Sequence, residues 1–560
     1  MRRVVERIAA ILRASVGRTD RLYLLAVFLA AIGALRIMGT YGVYNGTWDE
    51  PAHLACGMEL VQLGEYTYEP QHPPLARIAV ALGPYLDGIR GFSPKPRSMW
   101  VEGQYMLYFG GSYFRTLSLA RMGVLPFFLL GAGLIWWWGR RLFDGPTALV
   151  AVLLYTLTPA VLAHAGVATT DMAVTATMLA ALIAWVAWLE KPSLDRGALL
   201  GVAAGLALMT KFSAVVFLPV CGVAILGLRW LVERRAWGHV LGIGRIGWWS
   251  LGVALLVGFV VCWAAYGFSL GPLVTPRAGE SGALAGIAAL PIFPLSEMVH
   301  GIRAVVEHNA AGHPSYLFGR LSQWGWWYYF PIAFAFKTPI AFLALTGIGV
   351  VLLVKRTLKE RDWVVAVPPV CAAVVLLVSL TANINIGIRH ILIVYPLLAF
   401  VAAYGAVSWL RSGHTVRRLA VTGLLLWNIE ASVAAHPDYL PYFNELAGSR
   451  PERIIISGDL DWGQDLHRLG AAVAVREVDE VAVAYFGSAI PAMHIAARVR
   501  TLEAHQRATG WIAVSMWRLA YDDTEVPPHD GYAWLREFQP EARVGRSILL
   551  YHVPDSASGR

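Results

Sequence analysis

Long apolar runs separated by short polar links dominate the chain. A helix that crosses a bilayer needs roughly 20 mostly apolar residues. Candidate runs lie near 22–40, 117–138, 146–163, 171–189, 197–210, 212–230, 247–266, 331–354, 363–381, 387–409 and 418–435. They predict a mainly α, polytopic membrane helix bundle of about eleven spans. The break at Met209–Lys211 is tight, and the runs on either side of it are short. Two longer stretches, 41–116 and 267–330, interrupt the series. In the first, the apolar spacing from Leu75 to Tyr85 predicts an amphipathic helix lying on the membrane surface, and residues 51–63 predict another. Beyond residue 435 the pattern changes. Strand-like runs at Arg453–Ser457, Glu480–Tyr485, Trp511–Val514 and Ser547–Val553 alternate with helical stretches such as Trp462–Val475. This predicts a small α/β domain over 436–560, following a transmembrane domain over 1–435.

Composition supports lipid as the main solvent. Of 560 residues, 57% are hydrophobic and only 15% charged, against about 25% charged in soluble domains. Mean hydropathy is +0.54. The net charge of +9 does not point to nucleic acid, because the basic residues sit in links between apolar runs. With the N-terminus inside, alternate links carry Arg2, Arg3, Arg7, Arg13, Arg18 and Arg21; Arg140 and Arg141; Lys191 and Arg196; Arg229, Arg234, Arg235 and Arg245; Lys355, Arg356, Lys359 and Arg361; and Arg411, Arg417 and Arg418. The short links of the other set hold only Lys211 and Arg389. That asymmetry predicts a cytoplasmic N-terminus, with 41–116, 267–330 and the tail outside. Cys221, Cys262 and Cys371 lie in apolar runs and Cys56 stands alone, so no disulfide framework or zinc spacing is legible. The first apolar run is too long for a cleavable signal peptide and lacks a small-residue cleavage site.

On this topology the unusual polar residues at membrane ends share one face. The first run leads into Thr47-Trp48-Asp49-Glu50-Pro51-Ala52-His53. The third and fourth are joined through His164, Thr169, Thr170 and Asp171. The fifth and sixth meet at Met209-Thr210-Lys211, and the ninth and tenth at Asn383, Asn385, Arg389 and His390. Ionisable residues near a bilayer are costly and are candidate functional groups by default. Each has a plainer reading. Asp171 is a preferred helix N-cap residue, Lys211 can snorkel to the interface, Arg389 and His390 can anchor a helix end, and Asp49 or Glu50 can be a solvated helix end. Together they suit general-base catalysis by a carboxylate and cationic stabilisation of a departing phosphate, such as a lipid-phosphate sugar brings. Transport is the rival reading. Transporter sites lie near the bilayer midplane, whereas these groups lie at span ends.

The motifs at these positions resemble a known superfamily. Asp49-Glu50-Pro-Ala-His53 followed by His72-Pro73-Pro74-Leu75-Ala76 is similar to the membrane-embedded C-type glycosyltransferases, the superfamily of protein O-mannosyltransferases and aminoarabinose transferases. The similarity continues through Ser315-Tyr-Leu-Phe-Gly-Arg320, Gly325-Trp-Trp-Tyr-Tyr-Phe-Pro331, Lys337-Thr-Pro339, Asn385-Ile-Gly-Ile-Arg389-His390, His436-Pro-Asp-Tyr-Leu-Pro-Tyr-Phe-Asn-Glu-Leu-Ala447 and Leu460-Asp461-Trp462-Gly463-Gln464-Asp465-Leu466. It covers about residues 22–470.

The resemblance implies an inverting transferase fed by a polyprenyl-phosphate sugar, with Asp49, Glu50 and Asp171 as catalytic or acceptor-binding carboxylates. It implies lipid-phosphate contacts from His53, His72, Lys211, Lys337, Arg389 and His390. It also implies a multi-pass protein of the bacterial inner membrane with its C-terminal domain in the periplasm, acting among membrane lipids on an acceptor whose nature (lipid, glycan or protein) the sequence leaves open. Where the aminoarabinose enzymes place an acidic residue and a lysine before the proline pair, this chain has Gln71 and His72. The metal ligand that position 71 would supply is therefore in doubt. No cofactor is certain, and a divalent metal is left open.

Overall fold

The computed structural model describes residues 18–233, 244–274, 287–521 and 529–555. The predicted inside residues Arg2, Arg3, Arg7, Arg13, Arg234 and Arg235 lie outside the described residues, as does part of the 267–330 stretch.

Each predicted span meets a helix. The helices in chain order are α1 (Arg18–Met38), α2 (Glu50–Leu63), α3 (Pro74–Leu86), α4 (Met99–Phe109), α5 (Tyr113–Met122), α6 (Leu125–Leu142), α7 (Gly145–Leu157), α8 (Pro159–Ala165), α9 (Asp171–Glu190), α10 (Leu194–Thr210), α11 (Ser213–Glu233) and α12 (Arg245–Ala265). They continue with α13 (Ser296–Ala311), α14 (Tyr329–Lys337), α15 (Ile340–Glu360), α16 (Val367–Ser379), α17 (Val394–Leu410) and α18 (Thr415–Ala434). By length and apolarity, six stretches of the described residues can cross a bilayer: Arg21–Met38, Tyr113–Leu142, Asp171–Glu190, Ser213–Glu233, Arg245–Ala265 and Ile340–Glu360. The pair α7 and α8, bent by 63° at Thr158, makes up to seven.

The differences from the predicted spans have local causes. The run 331–354 divides at Thr338-Pro339, because proline supplies no N–H to continue α14. The run 387–409 becomes an α-helix only at Val394, after Gly387 at φ +120° and a 3₁₀ turn over Ile388–Ile391. Between α10 and α12 the small-residue stripe Gly197, Gly201 and Gly205 permits close backbone approach. A Cβ at Gly197 would lie 2.2 Å from the Ser250 carbonyl oxygen, and one at Gly201 2.4 Å from that of Ala254. This explains how a short, weakly apolar run packs as a full helix. Helix α17 is apolar on every side and most of it is buried, as such helices must be. Leu24 and Phe28 on α1, Val216 and Val223 on α11, Leu255 and Leu256 on α12, and Val351 and Val354 on α15 stay exposed, presenting an apolar surface suited to lipid.

The two helices predicted in the 41–116 stretch are α2 and α3. Proline in the first turn favours both starts, and Gly64 at φ +70° ends α2. They cross tightly, since a Cβ on Gly57 would fall 2.0 Å from the Arg77 carbonyl oxygen.

The tail contains helix α19 (Leu466–Val475) and strands of one five-stranded sheet. Glu480–Ala484, Arg498–Thr501 and Gly510–Ser515 pair in parallel, with the first in the middle. Ile548–Val553 pairs antiparallel with Gly510–Ser515 on one side and Ala542–Val544 on the other. Arg453–Ser457 is not a strand. Ile454, Ile455 and Ile456 are all buried, so the run lacks the alternation of a sheet edge, and the Ile454 carbonyl accepts the Phe318 N–H at 3.0 Å. It is an apolar wedge packed against the bundle.

Candidate active site

The site is built on the segment leaving α1. Arg121, fully buried at the C-terminal end of α5, donates to the carbonyls of Tyr41, Tyr44 and Asn45 at 3.2, 3.0 and 3.0 Å. It also makes a bidentate pair with Glu50: Nε to Oε1 and Nη2 to Oε2, both 2.8 Å. Glu50 further accepts the Thr47 N–H at 2.8 Å and the Ala168 N–H at 2.7 Å. Its carboxylate is thus occupied on all sides and fixes the turn. Asp49, one residue earlier, keeps 27% of its side chain exposed and accepts Arg389 Nη1 at 2.7 Å.

Asp171 opens α9. It makes no capping bond, and the N-cap position belongs to Thr170. Its Oδ1 instead accepts Lys211 Nζ at 2.6 Å, and its Oδ2 the Thr169 hydroxyl at 3.1 Å. Lys211 is only 13% exposed, held at the end of α10 in extended backbone, so it is a paired group rather than a snorkelling one. The two carboxylate–cation pairs sense one another: Asp171 interacts electrostatically with Lys211, Arg389 and His164, and His390 with Lys211, Arg389, Asp171 and His72. Around them, Arg389 Nε, His390 Nε2 and His164 Nδ1 are buried and have no hydrogen-bond partner among the described residues.

The Arg389 loop is held from the tail. Both carboxylate oxygens of Asp459 accept the Ile388 N–H, at 3.2 and 3.1 Å. Lys337, 2% exposed, donates to the carbonyls of Leu440 and Asp459, each at 2.7 Å.

His72 and His53 belong to a second network. Arg77 pairs with Glu69 and donates to His53 Nδ1 at 3.1 Å, and His72 Nδ1 lies 3.0 Å from Glu69 Oε2. Burial, with the Arg77 charge beside it, holds the His53 imidazole well below its usual pKa. It is therefore neutral, and with Nδ1 accepting, its proton sits on Nε2. Against the cost of burial, His72 and Arg77 hold the Glu69 carboxyl far below the ordinary range. The His53 and His72 rings meet edge to face, 5.2 Å between centroids.

Asp49, Asp171, Lys211, Arg389 and His390 therefore come together, with His72 within their field. Glu50 and Lys337 lie beside them with their polar atoms engaged by the chain, and His53 is tied to Arg77. Sequence reasoning overlooked Arg121, although an arginine inside the 117–138 apolar run is itself a signal. Among the described residues, no three or more His, Cys, Asp or Glu are grouped to hold a metal ion.

Residues 117–264 match the family model described as dolichyl-phosphate-mannose-protein mannosyltransferase. Over 189 residues the chain is 32% identical to an undecaprenyl phosphate-alpha-4-amino-4-deoxy-L-arabinose arabinosyl transferase of Edwardsiella ictaluri (strain 93-146). That alignment spans 32% of each protein, about a third of the relative's length. Among solved structures, ArnT from Cupriavidus metallidurans bound to undecaprenyl phosphate superposes with a TM-score of 0.47 at 15% identity, covering 94% of this chain and 97% of that one. The archaeal oligosaccharyltransferase AglB from Archaeoglobus fulgidus does so at 0.42 and 13%, covering 74% and 55%. Over part of its length the chain is thus similar to a mannosyltransferase family model and to a curated arabinosyl transferase.

Proposed function

We propose that the protein is an integral-membrane glycosyltransferase that moves a sugar from a polyprenyl-phosphate donor to an acceptor at the outer face of the membrane, with inversion at the anomeric carbon. The observation that carries this reading is the convergence of the Asp49–Arg389 and Asp171–Lys211 pairs on buried nitrogens with no partner among the described residues. The likeness to an undecaprenyl-phosphate arabinosyl transferase supports the donor class. The reading includes about eleven spans, a cytoplasmic N-terminus and an external tail domain over 436–560, supported by the basic residues of alternate links.

In the reaction, Arg389, Lys211 and His390 face the donor phosphate, with His72 at the rim. Asp49, the accessible carboxylate, takes the proton of the acceptor nucleophile. The nucleophile forms its bond to the anomeric carbon as the bond from that carbon to the phosphate oxygen breaks. The electron pair leaves with the phosphate, where the cations stabilise it. Attack opposite the leaving group inverts the centre. Asp171 orients Lys211. Glu50 positions Asp49 through the turn it fixes, Lys337 ties the tail to the bundle, and His53 buttresses Arg77.

The test is incubation of purified protein with a panel of polyprenyl-phosphate sugars and candidate acceptors, reading released polyprenyl phosphate by mass spectrometry. Wild type should release it, and Asp49→Asn should not, while inserting and melting normally. Full turnover by Asp49→Asn removes the proposed base. Sugar-lipid movement across vesicle bilayers without any new glycosidic bond would make the protein a transporter instead.

A further inference from the structure

The Leu460–Asp465 turn of the tail takes no part in the chemistry above, yet it touches Arg389 and the residue before Asp49. Trp462 is 3% exposed. The Arg389 guanidinium lies over its indole, 4.2 Å from the ring centroid. Its carbonyl accepts the Trp48 N–H, one residue before Asp49, at 3.0 Å.

The turn is itself heavily braced. Trp462 N–H donates to Gln464 Oε1 at 2.8 Å, and Gln464 Nε2 to the Leu460 carbonyl at 2.9 Å. Asp461 accepts the Gly463 N–H at 3.0 Å and the Trp517 N–H at 2.8 Å. The Gly463 carbonyl accepts Asn45 Nδ2 at 2.7 Å and the Tyr485 hydroxyl at 2.5 Å. Gly463 sits at φ +82°, where a Cβ would fall 2.7 Å from Gly487 Cα.

We infer that Trp462 is a positioning residue for the transfer reaction, setting the geometry of Arg389 with its ring face and that of Asp49 through its main chain. This rests on the function proposed above. An aromatic face restrains a guanidinium through the ring quadrupole without occupying any of its N–H groups. A carboxylate in the same place would both consume donors and cancel the charge that the leaving phosphate requires. The tail is thus a working part of the reaction centre, through the ring face and the carbonyl of Trp462.

The test compares Trp462→Phe, which keeps a smaller aromatic face, with Trp462→Met, which fills space without one. Three quantities are read: kcat, KM for the lipid-phosphate sugar and KM for the acceptor. Binding of undecaprenyl phosphate alone is measured beside them. Trp462→Met should lower kcat and weaken both donor KM and undecaprenyl-phosphate affinity by about tenfold, with acceptor KM unchanged. Trp462→Phe should fall between it and wild type. A purely structural role would lower kcat through the active fraction and leave both donor measures intact, which overturns the inference.

If Trp462→Met does not fold, Trp462→Phe decides alone, and donor affinity equal to wild type overturns the inference. If wild type turns over, Asp49→Asn is inactive and both Trp462 variants match wild type, the inference fails while the proposed function stands. If wild type neither turns over nor binds undecaprenyl phosphate, the proposed function fails and takes the inference with it.

Discussion

Removing Arg121 tests whether the Asp49 turn is built as described. Arg121 is fully buried and makes two 2.8 Å bonds to Glu50 while holding three main-chain carbonyls between Tyr41 and Asn45. Breaking a buried ion pair from one side leaves an uncompensated charge and costs about 3–5 kcal/mol. Arg121→Met should therefore lose at least the lower end of that range, because the carbonyls lose their donor as well. Glu50→Gln loses the charge and keeps one acceptor oxygen, for either the Thr47 or the Ala168 N–H but not both; it leaves the three carbonyls their donor and should cost less. The double variant should be more stable than the sum of the two losses, with a coupling of about 3 kcal/mol, the upper range for contacting groups. Unfolding in mixed micelles, followed by tryptophan fluorescence over a denaturing-detergent series, measures all three. Lipid-phosphate sugar transfer should fall alongside stability, because the same bonds aim Asp49. If Arg121→Met unfolds within about 0.5 kcal/mol of wild type, the scale of an ordinary surface substitution, or if the two changes simply add, the buried pair does not hold the turn.

Two further outcomes follow from the same geometry. Lys211→Met should abolish transfer and weaken undecaprenyl-phosphate binding at least about tenfold, since a desolvated charged contact is worth roughly 1.5–3 kcal/mol; Lys211→Arg should retain part of both, and unchanged binding in Lys211→Met would take Lys211 out of the phosphate site. In the tail, burial pushes the Asp461 carboxyl from 3.8 up to about 7. A raised folded-state pKa means the folded domain binds the extra proton, so this group's contribution is full below 3.8 and is lost as pH rises through about 7. Tail stability, read by amide hydrogen exchange after correction for intrinsic rates, should fall between about pH 4 and 7; Asp461→Asn should flatten that slope, and an unchanged slope would assign it to other groups.

Much of the scaffold was legible because lipid imposes a simple rule on sequence. Every backbone group in hydrocarbon must be bonded within its own helix, so apolar length alone located a helix for each of the predicted spans. The span ends brought Asp49, Asp171, Lys211 and Arg389 forward as candidates, because ionisable residues there stand out against so few charges. Pairing was not legible. Asp49 meets Arg389 across 340 positions of chain, and Asp171 meets Lys211 across 40; nothing local distinguishes these partners from the alternatives.

Tertiary structure alone separated the adjacent carboxylates Asp49 and Glu50. They are chemically alike in sequence, yet Arg121 and two main-chain N–H groups engage Glu50 while Asp49 remains partly accessible. It also turned the run Arg453–Ser457 from an expected strand into a wedge. Three β-branched residues in a row satisfy strand propensity, but the choice between a sheet edge and a bundle surface is made by what lies nearby. The sequence determined which segments leave water, because transfer to lipid depends on local composition. Which charges face one another was decided by packing, because electrostatic partners are chosen by distance in space, and the chain encodes that distance only through its whole fold.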